Sequence, residues 1–571
     1  MRLEIGRRRP RALGRSCALL LLAPTFAFCA PATGPVGSGG PAPGPSRTVE
    51  IAGSTAVDHD RNAIPRPPDW ERSYWGRRTH QGLVEPLAQV FDIPDKLLWT
   101  ARVLGARTRR EAVDVNASDE APNSAWFTNR NHVRAVPVAE LRQGPDSVFL
   151  PAKPWTISHA KQGGWSPGFQ IKDADGKKWL VKLDARNYLQ LSSGADMVAR
   201  TLLHAAGYNV PHNEPVRFQR SDVRIDADLL SGTSGERFTE ADLDSILARG
   251  AVFPDGSFAA SASLFIPGHV LGSPSMNRSR PGDSNDWYTH TNRRELRGLF
   301  VVCSWLNDWD TEDHQFLDVF VETGDSLGHV EHYLLDAGSS FGAAAAGPKE
   351  LWEGYENALD LAWTTRRLLT LGFIEEPWRG ARQETGLPSV GNYESEAYTP
   401  EAFRPLVPQA AFREMTDRDG YWGAKIVASF SDAQITAAVQ AAHYEDPQAR
   451  EYLVRNLIVR RDKIARHWFA RVAPLDFFSV QAGALHFHDL AVDLGLVGAR
   501  AYDVRLESAG ARAPGGDPIH LSGAELPLGD PGSGAPHRSL AISVTGNPAK
   551  PAHVELTWKD SRWTVTRVRH G

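Results

Sequence analysis

The stretch from Arg293 to Gly342 constrains the fold of this chain more than any other part of its sequence. It begins with apolar residues at helical spacing, which predict an amphipathic helix over Leu296 to Leu306. An acid-rich loop follows, and then two apolar segments that predict a β-hairpin. Another acid comes directly after the hairpin, in Asp336-Ala337-Gly338. This order predicts an α+β fold in which carboxylates lie between core elements.

The acid-rich loop runs from Asn307 to Gln315 and holds four acids and a histidine. A solvated turn between two core elements rarely needs so many acids, so the loop is a candidate site. Asp310 is the candidate catalytic group, which would orient or deprotonate an acceptor hydroxyl. Asp336, at the end of an apolar strand, is a candidate Mg²⁺ ligand. The alternative for Asp336 is an aspartate that opens a turn before glycine.

A second interpretation makes the same loop a metal site of another kind. Asp308, Asp310 and Glu312 alternate along the chain as calcium ligands do, although the glycine of a tight calcium loop is missing. His314 is predicted as a capping or core histidine, with a metal-ligand role as the alternative. The cluster from Asp308 to His314 also admits a metal-dependent hydrolase, but the sequence shows no zinc-binding spacing and no nucleophile turn.

A strand and a helix upstream carry two further candidates. The segments Phe169 to Ile171 and Trp179 to Leu183 predict a hairpin, and alternation turns Lys182 away from its apolar neighbours. The following helix is expected to run through His204, capped by Ser192 or Ser193. Asp196 lies in its first turns. An exposed lysine on a sheet and an acid near a helix start are the ordinary alternatives for Lys182 and Asp196.

A glycine-rich loop precedes this hairpin. Gly163, Gly164 and Gly168 could offer backbone N–H groups to a phosphate. The loop also contains Trp165 and Pro167, so a simple connecting turn is an equal alternative.

Together these features resemble the atypical protein-kinase-like superfamily with its HipA-like, CotH-like and phosphatidylinositol-kinase-like branches. The chain is also similar to an uncharacterised family of exported bacterial proteins with the run PGF-x-I-x-D, VK-x-D and GYNVP. Those residues are here Pro167-Gly168-Phe169, Asp173, Val181-Lys182-Leu183-Asp184 and Gly207-Tyr208-Asn209-Val210-Pro211. The resemblance covers roughly residues 150 to 478 and implies a small β-rich lobe and a larger helical lobe.

The resemblance also implies roles for the candidate residues. Lys182 would hold the phosphates of ATP, Asp196 would pair with that lysine, and Asp310 would act in catalysis. Asp336 would bind Mg²⁺ or Mn²⁺, and Gln315 stands where kinase-like loops carry a metal-binding asparagine. Asp196 stands where the family has glutamate.

The chain ends differ from this central part in composition. Residues 1–32 are arginine-rich and then apolar for too short a stretch to span a membrane, which predicts a secretory signal peptide. Residues 33–48 are rich in Gly and Pro and predict a disordered linker. Export to the periplasm or outer cell envelope is expected, with soluble export favoured over a lipid anchor at Cys29. Cys303 is expected in the core.

The net charge and the hydrophobic pattern predict the remaining features of the chain, including its domain boundaries. The formal net charge of −5 offers no basic surface for nucleic acid, and no later stretch is apolar for long enough to cross a bilayer. We expect an N-terminal extension over 49–150, the small lobe over 151–267 and the helical lobe over 268–478. Alternating segments predict an all-β domain over 479–571. The run from Arg460 to Lys463 is expected on a solvated helix face.

Two functions follow as hypotheses. The first is an exported phosphotransferase that moves a phosphoryl group from Mg-ATP or Mn-ATP to a hydroxyl of protein, glycan or lipid. The second is a catalytically degenerate kinase-like protein of the cell envelope that acts as a binding or structural module. The acceptor is not apparent from the sequence.

Overall fold

The protein is an α+β fold with several sheets and a large helical part. The computed structural model describes residues 58–69, 109–143, 149–160, 166–230, 235–357, 361–374, 384–407, 409–507, 517–531 and 536–571. The predicted signal peptide (1–32), the linker (33–48) with Cys29 before it, and Gly163 and Gly164 lie outside these residues. Among the described helices, none combines the length and the apolar character that crossing a bilayer requires.

The strands and helices of the described residues are numbered here in chain order. The strands are β1 (Ile64–Pro65), β2 (Trp155–Ala160), β3 (Gly168–Lys172), β4 (Lys178–Leu183), β5 (Asn213–Phe218), β6 (Val223–Ile225), β7 (Phe258–Leu264), β8 (His269–Gly272), β9 (Phe316–Gly324), β10 (Leu327–Leu334), β11 (Ala343–Ala344), β12 (Gly347–Pro348), β13 (Leu475–Gln481), β14 (Ala484–Asp489), β15 (Tyr502–Glu507), β16 (Ile519–Leu521), β17 (Glu525–Pro527), β18 (His537–Val544), β19 (Ala552–Lys559) and β20 (Arg562–His570). The helices are α1 (Val138–Gln143), α2 (Leu191–Ala206), α3 (Glu240–Leu247), α4 (Arg294–Leu306), α5 (Leu361–Leu369), α6 (Ala410–Glu414), α7 (Asp417–Ala428), α8 (Asp432–Ala441), α9 (Pro447–Phe469) and α10 (Leu490–Asp493).

A six-stranded sheet forms the first part of the structure, in the order β5-β7-β4-β3-β2-β6. The predicted hairpin is its β3–β4 pair, in which Gly168 lies opposite Lys182. Val181 and Leu183 point into a hydrophobic core beneath the sheet, so Lys182 projects from the opposite face. This core is separate from the main core of the helical part.

Helix α2 begins at Leu191, slightly before the predicted start, and its cap is different. Asp184 accepts hydrogen bonds from the backbone N–H groups of Ser192 and Ser193 at 2.9 and 2.8 Å, and from that of Gln190 at 3.1 Å. The prediction that Ser192 or Ser193 caps the helix is therefore wrong. A carboxylate from the end of β4 satisfies the free N–H groups instead, and this ties the helix to the central strand.

Helix α4 and the hairpin β9–β10 confirm the predicted order of elements after Arg293. Almost all of α4 is buried, including its charged residues Arg294, Glu295 and Arg297, and Cys303 is fully buried, as predicted. The hairpin belongs to a four-stranded sheet in the order β1-β10-β9-β8. Strand β1 comes from the N-terminal segment, so that segment takes part in the central structure.

The long helix α9 packs against α7 and α8. The prediction of a solvated face over Arg460 to Lys463 is wrong for its first residues, because Arg460 and Arg461 are buried. The guanidinium of Arg460 lies 3.8 Å from the ring centroid of Tyr398, a cation–π contact that allows the charge to be buried.

The C-terminal part consists of two antiparallel sheets with a shared core. One sheet has the order β13-β14-β17 and the other β16-β15-β18-β19-β20. Apolar residues from both sheets form a single cluster, which also includes Ala473 and Leu475. The β structure thus begins at Leu475, slightly before the predicted start of this region at 479.

Asp119 holds distant parts of the chain together. Its carboxylate accepts hydrogen bonds from Arg294 on α4 at 2.7 Å, from Arg418 on α7 at 2.6 Å and from Nδ1 of His570 on β20 at 2.8 Å. The carboxylate is buried, and burial alone would raise its pKa, but Arg294, His570 and Arg418 hold the pKa below its ordinary value. The N-terminal segment, the helical part and the last strand therefore meet at one residue.

Candidate active site

Lys182 lies at the centre of the candidate site because β4 is an inner strand of the six-stranded sheet. Its Nζ forms an ion pair with Oδ2 of Asp336 at 2.8 Å. Burial alone would lower the pKa of Lys182, but the negative charges of Asp336 and Asp196 outweigh burial and raise it. The lysine is therefore held in its charged form between two acids from different elements.

Asp196 reaches the site from α2 and is buried. Nδ2 of Asn213, on β5, donates hydrogen bonds to both of its oxygens at 3.1 and 3.0 Å. Burial raises the pKa of Asp196, Lys182 lowers it and Asp336 raises it. The direct ion pair of Lys182 is with Asp336, so Asp196 acts on the lysine through its field.

Asp336 lies just beyond β10, in a tight turn against α2. Its Oδ1 accepts a hydrogen bond from the backbone N–H of Gly338 at 3.1 Å. A Cβ at Gly338 would lie 3.2 Å from that oxygen and 3.8 Å from Cβ of Asp196. The small residue thus lets the turn approach the helix, and this brings the two acids to the same lysine.

Asp310 enters from the loop after α4. Asn307 ends that helix in a left-handed conformation (φ 53°), which asparagine tolerates, and turns the chain into the loop. Nε2 of Gln315 donates a hydrogen bond to Oδ2 of Asp310 at 2.5 Å, while Oδ1 is buried without a hydrogen-bond partner among the described residues. Burial raises the pKa of Asp310 to about 6, and the nearby charges of Glu312 and Asp336 add to this effect.

His314 accompanies Asp310 as a cation. Its Nδ1 lies 3.2 Å from Oε2 of Glu312. Burial lowers the pKa of His314, but its acidic neighbours, among them Glu312 and Asp310, raise it to about 9. The charged imidazolium partly offsets the acids of the loop.

Asp308 is the most strongly perturbed carboxyl of the site. It is 2 % exposed, and burial raises its pKa to about 8 although Lys349 lowers it. Lys349 is itself buried and donates from Nζ to the backbone carbonyl oxygens of Asn307 and Ser339. Lys349 therefore joins the loop that carries Asp308 to the turn that follows Asp336.

These acids form one electrostatic unit, because the pKa of Asp308 is raised by Asp310, Asp336 and Asp196 as well as by burial. Two of their oxygens, Oδ1 of Asp308 and Oδ1 of Asp310, are buried without a hydrogen-bond partner in the described part of the chain. Hard oxygen ligands in a region of excess negative charge are what Mg²⁺ and Mn²⁺ require. The residues present therefore fit a divalent cation.

The described residues contain no group of three His, Cys, Asp or Glu side chains already arranged around a common metal position. The calcium and hydrolase interpretations of the acidic loop gain no support from this arrangement. Mg²⁺ commonly takes only one or two carboxylates from a protein and completes its shell with water and substrate phosphates.

The predicted site residues thus fall into two groups. Lys182, Asp196 and Asp336 interact with one another, and Asp310 is coupled electrostatically to Asp336, whereas Gln315 contacts the site through Asp310. Their assigned roles remain predictions. Gly168 lies in the β3–β4 ladder, where a Cβ would lie 2.2 Å from the carbonyl oxygen of Val181; its absent side chain thus serves the close approach of the strands. A phosphate contact by Gly168, Gly163 or Gly164 also remains a prediction.

Three residues that support this site were not predicted from the sequence as parts of it. Asn213 gave no signal beyond its position in a strand. Lys349 lies in a small-residue segment without periodicity. Asp184 belongs to the motif Val181-Lys182-Leu183-Asp184, and an acid directly after a strand and just before a helix could have been identified as the cap.

No known family model matches the chain, and no curated protein matches it. Solved structures to which it shows a likeness include that of a Helicobacter pylori proinflammatory kinase, CtkA, with 10 % identity and a TM-score of 0.29 over 56 % of this chain and 96 % of that one. The Golgi casein kinase structure has 12 % identity and a TM-score of 0.27, covering 56 % and 71 %. A Golgi casein kinase structure with Mn/ADP bound has 14 % identity and a TM-score of 0.23, covering 50 % and 74 %.

Proposed function

We propose that this protein is a kinase-like phosphotransferase that moves a phosphoryl group from ATP, with Mg²⁺ or Mn²⁺, to a hydroxyl-bearing acceptor. The observation that carries the proposal is the ion pair of Lys182 with Asp336 at 2.8 Å inside a cluster of acids. A charged lysine beside carboxylates with unpaired oxygens can serve a polyphosphate and its cation together.

Each residue would have a separate task. Lys182 would bind the phosphates of ATP, and Asp196 would keep the lysine charged and directed into the site. Asp310 would accept the proton of the acceptor hydroxyl, because a carboxyl with a pKa near 6 is ionised at neutral pH and still basic enough for this transfer. The hydroxyl oxygen then forms a bond to the γ-phosphorus while the bond to ADP breaks.

Asp336, with the oxygens of Asp308 or Gln315, would hold the divalent cation. Such a cation, when bound, neutralises the charge of the phosphates. Gln315 fixes the orientation of Asp310 through its hydrogen bond at 2.5 Å. Lys349 would keep the two acidic segments at a constant separation.

A second candidate function is a binding module without catalysis. It is favoured by the observation that Lys182 and Asp336 already neutralise each other, while the amide of Gln315 covers one oxygen of Asp310. In that case the acids would serve the stability of a scaffold, and the C-terminal sheets would bind the partner.

Ligand-dependent unfolding separates the two candidates. We would measure the thermal unfolding of the purified chain with ATP and either Mg²⁺ or Mn²⁺, beside Asp336→Asn and Lys182→Met. A ligand at about a hundred times its dissociation constant adds roughly 2.7 kcal/mol to the folded state. Phosphotransferase function predicts a metal-dependent shift that both variants lose. The exposed Asp244→Asn is the matched control, because Asp244 forms only a surface ion pair with Arg220.

Transfer itself would be measured with γ-labelled ATP and mass spectrometry of the chain and of added protein, glycan and lipid acceptors. Incorporation that requires Asp310 supports the proposal. Nucleotide binding without incorporation, and equal behaviour of Asp310→Asn, would support the binding module.

Export to the periplasm or outer envelope is also a proposal, and it rests on residues 1–32 alone. Expression of the whole chain in a Gram-negative host, followed by fractionation and N-terminal sequencing, tests it. A cytoplasmic product that keeps its first residue would refute it.

A further inference from the structure

A cavity that shares no lining residue with the lysine site lies where three segments of the chain meet. Its volume is about 390 Å³. It is bounded by the loop 111–116, the first turn of α7 and the last strand, β20. Its lining includes Glu111, Asn116, Arg418, Arg567 and Arg569. None of these residues belongs to the site described above.

Arg567 and Arg569 place two guanidinium groups on one side of β20. Val568, between them, is buried and faces the core of the C-terminal sheets, so the two arginines both point away from that core. Residues two apart on a strand are separated by roughly 7 Å. Both arginines are exposed, and neither forms an ion pair with any described residue.

Arg418 adds a third guanidinium from α7. Its Nη1 lies 3.1 Å from Glu111 and its Nη2 lies 2.6 Å from Asp119. Its Nε is buried and has no acceptor within the described ranges. Asp119 is shared with Arg294 and His570, so it cannot neutralise Arg418 alone. The described lining residues therefore include three guanidinium groups and one acid, Glu111, while Glu555 lies opposite Arg567 on β19.

We propose that this cavity binds a phosphate-type anion, either free phosphate or a phosphate group carried by another molecule. Planar guanidinium groups donate paired hydrogen bonds to tetrahedral oxyanions, and two of them on one strand can approach such an anion from different sides. A carboxylate offers only two oxygens, which suits one guanidinium better than several. The bound anion would join the N-terminal segment, α7 and β20.

Binding would be measured by isothermal titration calorimetry and thermal unfolding of the whole chain, without divalent metal and at constant ionic strength. The probes are inorganic phosphate, inorganic pyrophosphate and O-phosphoserine. The test variant is Arg567→Gln combined with Arg569→Gln. The matched control is Arg505→Gln, an exposed arginine of the same five-stranded sheet that does not line the cavity.

We expect one binding site in the parent protein and at least about a tenfold loss of affinity in the double variant, since charge-assisted hydrogen bonds are among the strong ones. The Arg505→Gln control should bind as the parent does. Tighter binding of O-phosphoserine than of inorganic phosphate would identify a phosphorylated side chain as the ligand class, and the reverse would identify the free ion.

Two results would overturn the proposal: no binding of any probe by the parent protein, or equal binding by the double variant. Lys182→Met provides a further comparison. If it abolishes binding while the double variant keeps it, the probes occupy the lysine site. Because no metal or ATP is added, the outcome is independent of whether the protein transfers phosphate.

Discussion

Replacing Asp308 by asparagine is expected to stabilise the folded protein, although the residue lies in the candidate active site. The carboxyl is 2 % exposed, and burial raises its pKa from 3.8 to about 8. In the unfolded chain the same group loses its proton near its ordinary pKa. The folded protein therefore loses stability as the pH rises from about 4 to about 8, because it retains a proton that the unfolded chain has released. Asparagine has no proton to lose.

The expected gain in stability follows from the difference between the pKa of Asp308 in the folded protein and in the unfolded chain. A change of one in pKa corresponds to about 1.4 kcal/mol, so the full difference would be roughly 6 kcal/mol at pH 8 and roughly 2 kcal/mol at pH 5. Asp308 shares its field with Asp310, Asp336 and Lys349, and their rearrangement reduces the gain. We halve the values and expect the variant to gain about 3 kcal/mol at pH 8 and about 1 kcal/mol at pH 5.

Urea unfolding followed by tryptophan fluorescence at both pH values measures this gain. Asp244→Asn is the control, because its exposed carboxylate should give a change below about 0.5 kcal/mol at either pH. A loss of stability in Asp308→Asn at pH 8, or a gain that does not grow with pH, would refute the argument. Asp308 would then be ionised and paired in the folded state.

Three further substitutions test other parts of the structure. Gly168→Ala places a Cβ 2.2 Å from a backbone carbonyl oxygen of β4, and urea unfolding should show a loss of roughly 2–4 kcal/mol, whereas Gly498→Ala, with open space around it, should be nearly neutral. Arg460→Leu removes a buried charge that lies over two tyrosine rings; we expect a loss of about 2 kcal/mol in the same assay, and no loss would show that the cation–π contacts are worth nothing. His570→Ala removes one hydrogen-bond partner of Asp119, and we expect the free energy of unfolding to fall by about 1–3 kcal/mol and the amides of β20 to exchange faster. Unchanged amide exchange would show that the contact of His570 with Asp119 does not hold β20 in place.

The sequence predicted the order of elements through the candidate site because each of them has strong local signals. Alternation located the β3–β4 hairpin and the direction of Lys182, and helical spacing located α4. The acids Asp310 and Asp336 could be selected because they interrupt apolar segments. These signals depend on only a few neighbouring residues, so they can be recognised without knowledge of the tertiary structure.

Contacts that depend on distant parts of the chain could not be predicted in this way. Nothing near Lys182 in the sequence indicates that Asp336, rather than Asp196, forms its direct ion pair. The burial of Arg460 depends on tyrosines more than sixty positions earlier, and a run of charges on a helix is usually solvated. The roles of Lys349 and Asn213 likewise arise only when separate segments fold together.

Asp119 has a consequence for how the chain reaches its folded state. It contacts Arg294, 175 positions away, Arg418, 299 positions away, and His570, 451 positions away. Closing such large loops is slow, and Asp119 lacks these three partners until it happens. A chain that is stopped or cleaved before His570 would keep an incomplete ion network, so quality-control proteases should distinguish it from the whole molecule. Assembly of the three parts is thus expected to be late and all-or-none.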